Sequence, residues 1–106
     1  MKFTLYGYEW ELEFVDKNNK EIDGAWGITL NYDMKILIRN DLNPQLVKEC
    51  IVHELTHAVW LSQGRGDPRK INIEELCEFI GFCGETIIST ANELYKYYEY
   101  GFGRKS

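Results

Sequence analysis

A five-residue segment near the middle of the chain carries side chains suited to metal-dependent chemistry. His53, Glu54, Leu55, Thr56 and His57 form the pattern HExxH. If the segment is helical, the two imidazoles lie one turn apart on the same face and can bind one zinc ion together. Glu54 then lies beside that face, within reach of a zinc-bound water but not among the ligands. The spacing therefore predicts a hydrolytic zinc site in which His53 and His57 hold the metal and Glu54 is the general base.

A catalytic zinc ion needs a third protein ligand and one open position. His53 and His57 are the only histidines in the chain, so the third ligand must be a carboxylate or a thiolate. Glu75 falls at the border of the apolar stripe of a downstream helix, and we expect it to be this ligand. Glu74 and Glu78 are the alternatives, although the same helical spacing places both on the solvated face.

Two cysteines are alternative ligands of a different kind. A site made of the two histidines with Cys77, Cys83 or both would be structural or regulatory instead of hydrolytic. Because unpaired cysteine commonly packs as a small apolar side chain, we expect both residues to contribute to packing. Cys50 lies one turn before the HExxH segment, where it could line the site, but we expect packing for it as well.

The HExxH segment lies in a helix that independent signals predict. Asn43 is suited to cap a helix and Pro44 to occupy its first turn. Apolar side chains flank the histidines and cover the opposite side, which predicts a helix over residues 44–62 at the centre of the fold. Ionisable groups on a central helix need compensation, which a bound metal would supply.

A second helix is predicted to start near Asn72 and to run to about residue 98. Gly81 and Gly84 lie inside it and can bend it. Its apolar spacing predicts a buried stripe, which consists of Ile73, Leu76, Ile80, Cys83 and Ile87.

The first 40 residues have the patterns of strands. Residues 10–15 alternate between apolar and acidic, and residues 25–30 and 35–39 are short apolar segments bounded by turns. Strands followed by helix, loop and helix indicate an α+β fold. We expect a single domain over residues 1–106, in which a three-stranded antiparallel sheet packs on the HExxH helix and on the second long helix.

Trp26 and Gly27 belong to the second of these strands. A glycine inside a strand can mark the close approach of another backbone. If this strand borders the zinc site, a peptide substrate can add to it as a further strand, with Trp26 and Gly27 as substrate-binding residues. The alternative interpretation is a bulge packed under a core tryptophan.

Composition limits the partners that the chain can have. Seventeen acidic residues against 12 basic ones give a formal net charge of −5, which disfavours nucleic acid and anionic membranes as partners. No apolar segment is long enough to span a membrane, and the first residues lack the pattern of a secretory signal. Three cysteines without a CxxC pair indicate a reducing compartment. We therefore expect a cytoplasmic protein whose partner is a protein or peptide substrate.

The sequence resembles the gluzincin type of zincin metallopeptidases, and within that type the small ImmA/IrrE-like and phage-encoded members. The resemblance covers residues 24–84. It rests on a strand pair with Trp26–Gly27 and Ile36–Ile38, on the HExxH segment, and on Glu75 with Phe79 four positions later. In that family a glutamate with an aromatic residue four positions later follows the HExxH motif on the helix that supplies the third ligand. The resemblance implies a metallopeptidase with one zinc ion, with Glu75 as a ligand, that acts on proteins of phages or other mobile elements.

A second hypothesis comes from another functional class. In it the chain is a catalytically inert, zinc-stabilised module for protein–protein contact. A third, a helical adaptor that needs no metal, predicts that no metal is bound at all.

Overall fold

The computed structural model describes residues 1–103 and has the α+β class that the sequence predicts; residues 104–106 of the expected domain lie outside the described part. Four short strands precede two long helices. The elements are β1 (Lys2–Leu5), β2 (Tyr8–Val15), β3 (Gly27–Leu30), β4 (Lys35–Arg39), α1 (Pro44–Ser62) and α2 (Ile73–Tyr98). A 3₁₀ turn at Pro68–Lys70 joins the helices, and a π-helical turn, Glu99–Gly103, follows α2. Among the described residues, no helix is both long and apolar enough to cross a membrane.

The sheet is four-stranded and mixed, in the order β1-β2-β4-β3, so the predicted three-stranded antiparallel sheet is wrong in detail. β1 forms a hairpin with β2 through a turn in which Tyr6 and Gly7 both have positive φ. β3 and β4 form a second antiparallel hairpin. Because β4 and not β3 lies next to β2, the central pair β2–β4 runs parallel. β3 is therefore an edge strand of the described sheet.

α1 forms where the sequence predicts it and lies at the centre of the molecule. Asn43 Oδ1 accepts a hydrogen bond of 3.0 Å from the N–H of Leu46, and Pro44 occupies the first turn. The helix packs against β1, β3, β4 and α2. Its buried residues are Val47, Cys50, Ile51, Glu54, Leu55, Ala58 and Val59.

α2 begins where predicted but buries a different stripe from the predicted one. Asn72 Oδ1 caps the N–H of Glu75 at 2.9 Å, and the helix is continuous to residue 98. Three residues of the predicted stripe, Ile73, Leu76 and Ile80, are exposed, and Phe79 is buried in their place. The first turns carry apolar residues on several sides, so periodicity alone does not select the buried one. The observed buried residues are Phe79, Cys83, Ile87, Ala91, Leu94 and Tyr98.

The two helices pack antiparallel to each other. Trp60, near the end of α1, contacts Phe79, near the start of α2, with ring centroids 4.8 Å apart. Lys48, in the second turn of α1, lies 5.4 Å from the ring centroid of Tyr95, near the end of α2. The middle of α2 is therefore level with the HExxH segment of α1.

Candidate active site

The two histidines lie together on the exposed face of α1. Their ring centroids are 5.2 Å apart and their planes are inclined by 67°. Both residues are exposed, and the His53 side chain retains 69% of its accessible surface. The sequence predicts that the ionisable groups of His53, Glu54 and His57 are buried and need compensation. Only Glu54 is buried, so only its carboxylate needs compensation. Two accessible imidazoles one turn apart are a donor pair that fits zinc.

Glu54 is the buried member of the motif, at 8% exposure. Its Oε1 lies 2.9 Å from the hydroxyl of Thr29 in β3, and that hydroxyl is also 3.0 Å from the carbonyl oxygen of Glu54. Its other carboxylate oxygen, Oε2, lies 3.8 Å from His53 Nε2. The carboxylate is thus fixed by the edge strand on one side and faces an imidazole on the other.

Gly27 allows the approach of Glu54 to the sheet. A Cβ atom at this position would lie 2.9 Å from Ile38 Cδ1, 3.2 Å from Glu54 Cγ and 3.3 Å from the carbonyl oxygen of Leu37. The sequence predicts the close approach of another backbone at Gly27, whereas the two nearest atoms belong to side chains, one from β4 and one from α1. Since the backbone pairs regularly with β4 at Gly27, the alternative of a bulge is not what the structure has.

A cavity of about 360 Å³ opens beside this carboxylate. Trp26 is 52% exposed at its rim, so it is not a core residue. The structure thus brings both predicted substrate-binding residues next to the catalytic candidate. The cavity is lined by Trp26, Gly27, Glu49, Cys50, His53 and Glu54.

The thiol of Cys50 lies in this wall and is largely buried. Burial raises the pKa of the Cys50 thiol, and the negative charges of Glu54 and Glu49 raise it further. A thiol of raised pKa is a poor nucleophile and a poor metal ligand near neutral pH. Cys50 thus belongs to the core, as expected, and also lines the cavity, which is the alternative for this residue.

Glu75 is not adjacent to the histidines. It is exposed in the first turn of α2. Because Trp60 is opposite Phe79 in an antiparallel helix pair, Glu75 is opposite a position past the end of α1. At about 1.5 Å of rise per residue, Glu75 is separated from His57 by roughly 10 Å along the helix axis. Within residues 1–103, no three His, Cys, Asp or Glu side chains are grouped so that they could hold a metal ion.

The alternative third ligands are also separate from the histidines. Glu74, Glu78 and Cys77 are exposed on α2, and Cys83 is 1% exposed in the core. The structure thus brings His53 and His57 together, but groups no third candidate ligand with them within residues 1–103. The assignment of Glu75 stays a prediction.

Thr29 is the site residue that sequence analysis missed. It is 25 positions before Glu54, and the sequence pattern assigns it only to an apolar strand. The sequence feature that points to Thr29 is a hydroxyl between two aliphatic residues, two positions after Gly27 in a predicted strand. The contact itself depends on which strand packs against α1, and the sequence pattern does not give that.

Comparison of the chain with protein-family models, with curated protein sequences and with solved structures found no match.

Proposed function

We propose that the chain is a zinc-dependent metallopeptidase. The observation that supports this best is the arrangement of one buried carboxylate and two exposed imidazoles around a single helical turn, at the edge of a cavity. His53 and His57 would hold the ion, and Glu75, our candidate for the third ligand, would reach it only if the first turn of α2 moved toward His57. When bound, zinc supplies Lewis acidity, which polarises a carbonyl group and makes a water molecule acidic near neutral pH.

Glu54 would be the residue that moves protons. Thr29 donates a hydrogen bond to Oε1, which leaves Oε2 directed toward His53 and available to accept a proton. A carboxylate placed in this way can take a proton from the attacking water at Oε2 and later deliver it to the leaving amine. The position fixed by Thr29 and Gly27 reduces the reorganisation that each transfer requires.

The substrate would be an extended peptide segment lying along β3. In the part of the chain that the structure describes, β3 is an edge strand and no strand pairs with its outer side, and the cavity next to Glu54 adjoins its start at Gly27. Trp26 at the rim offers an exposed ring on which a substrate side chain can pack. A folded protein would have to unfold locally to be cleaved here.

A metal-stabilised interaction module is the second candidate function, and one observation favours it. α2 exposes several large apolar side chains, with exposures of 67% at Ile73, 53% at Ile80, 73% at Phe82 and 52% at Ile88. Exposed apolar side chains concentrated on one element are typical of protein-contact surfaces. This module would bind a partner protein without hydrolysing it.

Metal analysis and a hydrolysis assay on the same preparation test the peptidase. We expect about one zinc ion per untagged chain, cleavage of an unfolded casein, loss of cleavage on chelation, and recovery with zinc. Glu54→Gln should keep the zinc and lower the rate by about 10²- to 10⁴-fold. The matched control is Glu93→Gln, which removes the same charge from an exposed position of α2 outside the cavity and should leave the rate near that of wild type.

Chelation also separates the two candidate functions. Because both histidines are exposed and the core consists of apolar side chains, a peptidase should keep its cooperative melting transition without metal. A zinc-stabilised module should lose that transition and show no turnover. Protein that contains no zinc, or Glu54→Gln that cleaves as fast as wild type, would reject the proposed function.

A further inference from the structure

A second cavity, of about 280 Å³, lies at the other end of β3 from Trp26. Asn31, in the turn that follows β3, forms part of its wall. His57 and Trp60 from α1 and Arg65 from the following loop also line it. Since His57 lines this cavity and His53 lines the first, the two cavities lie on either side of the histidine pair.

Arg65 is the cationic group of this second cavity, and one donor of its guanidinium, Nε, has no hydrogen-bond partner among the described residues. Its Nε is buried without a hydrogen bond, the only such buried side-chain nitrogen or oxygen among the residues that the structure describes. Asp67, the nearest acid along the chain, is engaged by Arg69 at 3.0 Å instead. A buried donor without an acceptor lowers the stability of the folded protein, so an acceptor supplied by a ligand would be favourable at this position.

The surrounding structure holds the guanidinium in place. Its Cζ lies 6.0 Å from the ring centroid of Trp60 and 5.3 Å from that of Phe79. The loop folds back on α1, because Trp60 Nε1 donates a hydrogen bond of 2.7 Å to the carbonyl oxygen of Gly66. Gly66 has a φ of +87°, which other residues rarely adopt, so the sequence supports this loop shape.

We propose that Arg65 binds a carboxylate group of the ligand in the cavity beside His57. A guanidinium carries donors in a planar fork that matches a carboxylate, and stacking on aromatic rings preorganises it for that contact. That the ligand is a peptide substrate rests on the proposed function. The inference predicts a peptide substrate with a carboxylate at one position, which lies on the side of the histidine pair away from Trp26.

The direction of the substrate decides which carboxylate this is. A chain antiparallel to β3 would bring its amino-terminal side to Arg65, so the group would be an Asp or Glu side chain. A chain parallel to β3 would bring its carboxyl-terminal side there, so the group would be a terminal carboxylate. The chemistry of the contact is the same in both cases.

Solution NMR of the Arg65 Nε–H signal tests the inference on metal-free wild-type protein, where no hydrolysis is involved. The probe for a terminal carboxylate is N-acetyl-alanine, with its amide as control. The probe for a side chain is N-acetyl-aspartic acid α-amide, with N-acetyl-asparagine amide as control. Each is titrated to about 50 mM, because ligands of this size bind with dissociation constants near ~1 mM.

We expect at least one carboxylate probe to shift this signal and to bind about ten-fold more tightly than its amide. In the variants the binding is followed at the Trp60 Nε1–H signal, because the Trp60 ring lies beside Arg65 and every variant keeps it. Arg65→Gln should abolish the binding, and Arg65→Lys, which keeps the charge but not the fork, should weaken it. Lys70→Gln removes the same charge from an exposed position nearby and should bind as wild type does.

Four results would overturn the assignment. The first two are no shift with either carboxylate probe and equally tight binding of the amide controls. The third is full binding by an Arg65→Gln variant that has the melting transition of wild type. The fourth is binding of inorganic phosphate, titrated as a further probe, without binding of either carboxylate. A carboxylate that binds in this way to a protein without turnover supports the assignment and rejects only the peptidase.

Discussion

The hydroxyl of Thr29 lies 2.9 Å from Glu54 Oε1 and joins the edge strand to the HExxH helix. This contact fixes one carboxylate oxygen and leaves the other, Oε2, 3.8 Å from His53 Nε2. A carboxylate on a helix has several rotamers, and a general base needs one of them. Thr29 therefore acts as a positioning residue for the proposed base.

Replacing Thr29 tests this relationship. Thr29→Val keeps the volume and removes the donor, so Oε1 of a buried carboxylate loses its partner. We expect the free energy of unfolding to fall by about 1–3 kcal/mol and the hydrolysis rate to fall by about 10- to 100-fold. Denaturant unfolding and a casein assay measure the two effects.

Thr29→Ser is the control for the hydroxyl, because it restores the donor without the methyl group. It should recover most of the rate, even if the lost packing lowers stability. A rate in Thr29→Val equal to that of wild type would show that this hydroxyl does not position the base.

Gly27 provides a second test of the close packing at the site. Gly27→Ala places a Cβ 2.9 Å from Ile38 Cδ1 and 3.2 Å from Glu54 Cγ, and the nearby carbonyl oxygen of Leu37 prevents an easy shift. We expect a loss of about 1–3 kcal/mol in unfolding free energy, measured by denaturant titration, together with a loss of turnover because Glu54 is displaced.

Gly81→Ala is the matched control for this substitution. Nothing lies within 4 Å of a Cβ at Gly81, which is inside α2. Alanine there should stabilise the protein by about 0.5–1 kcal/mol, because glycine loses more backbone entropy in a helix. If both variants had the same stability, the contact of Gly27 with Glu54 would not constrain the fold.

The sequence predicts those elements whose signals are local. Asn43 with Pro44, and Asn72 at the start of α2, mark helix starts within one or two residues of where the structure has them. The HExxH spacing likewise predicts that His53 and His57 share a face. Each of these features depends on residues within one or two helical turns, which is why periodicity and capping predict them.

Pairings between distant segments were not predictable from the pattern. Alternation identifies 10–15 as a strand but does not say that β4 lies next to it, in parallel. A tertiary contact also decides which side of the first turns of α2 is buried, because Phe79 packs on Trp60 and leaves Ile80 in solvent. The role of Thr29 also depends on which strand contacts α1. Local composition carries little information on any of these tertiary choices.

The third zinc ligand is testable by the metal content of four variants. The proposal predicts that Glu75→Ala loses zinc, whereas Glu74→Ala and Glu78→Ala keep it. Glu85→Ala belongs in the series because Glu85 is exposed in the middle of α2, at the level of the histidines. Metal analysis after dialysis should give about one zinc ion per chain in every variant except the one that lacks the ligand.

Retention of zinc in Glu75→Ala, with loss in another member of the series, would move the assignment to that residue. Retention in all four variants would contradict a carboxylate from α2. The melting temperature of each variant without metal is the control for misfolding, since exposed glutamates should change it little.

The rates at which the three cysteines are alkylated test whether a thiolate takes part in the site. Cys77 is exposed, whereas Cys50 and Cys83 are buried. Burial and the charges of Glu54 and Glu49 raise the pKa of the Cys50 thiol, so its thiolate fraction near pH 8 is small. We expect iodoacetamide to modify Cys77 first, with the other two reacting only on unfolding, as followed by peptide mass spectrometry.

Zinc should leave the reactivity of Cys77 unchanged if the third ligand is a carboxylate. Protection of Cys77 by zinc would instead indicate a thiolate ligand, and with it a structural site in place of a hydrolytic one. Cys77→Ser is the control, because it should keep the full zinc content under the carboxylate assignment and lose it under the thiolate one. This comparison needs no knowledge of the substrate, so it separates the two kinds of zinc site before any cleavage is sought.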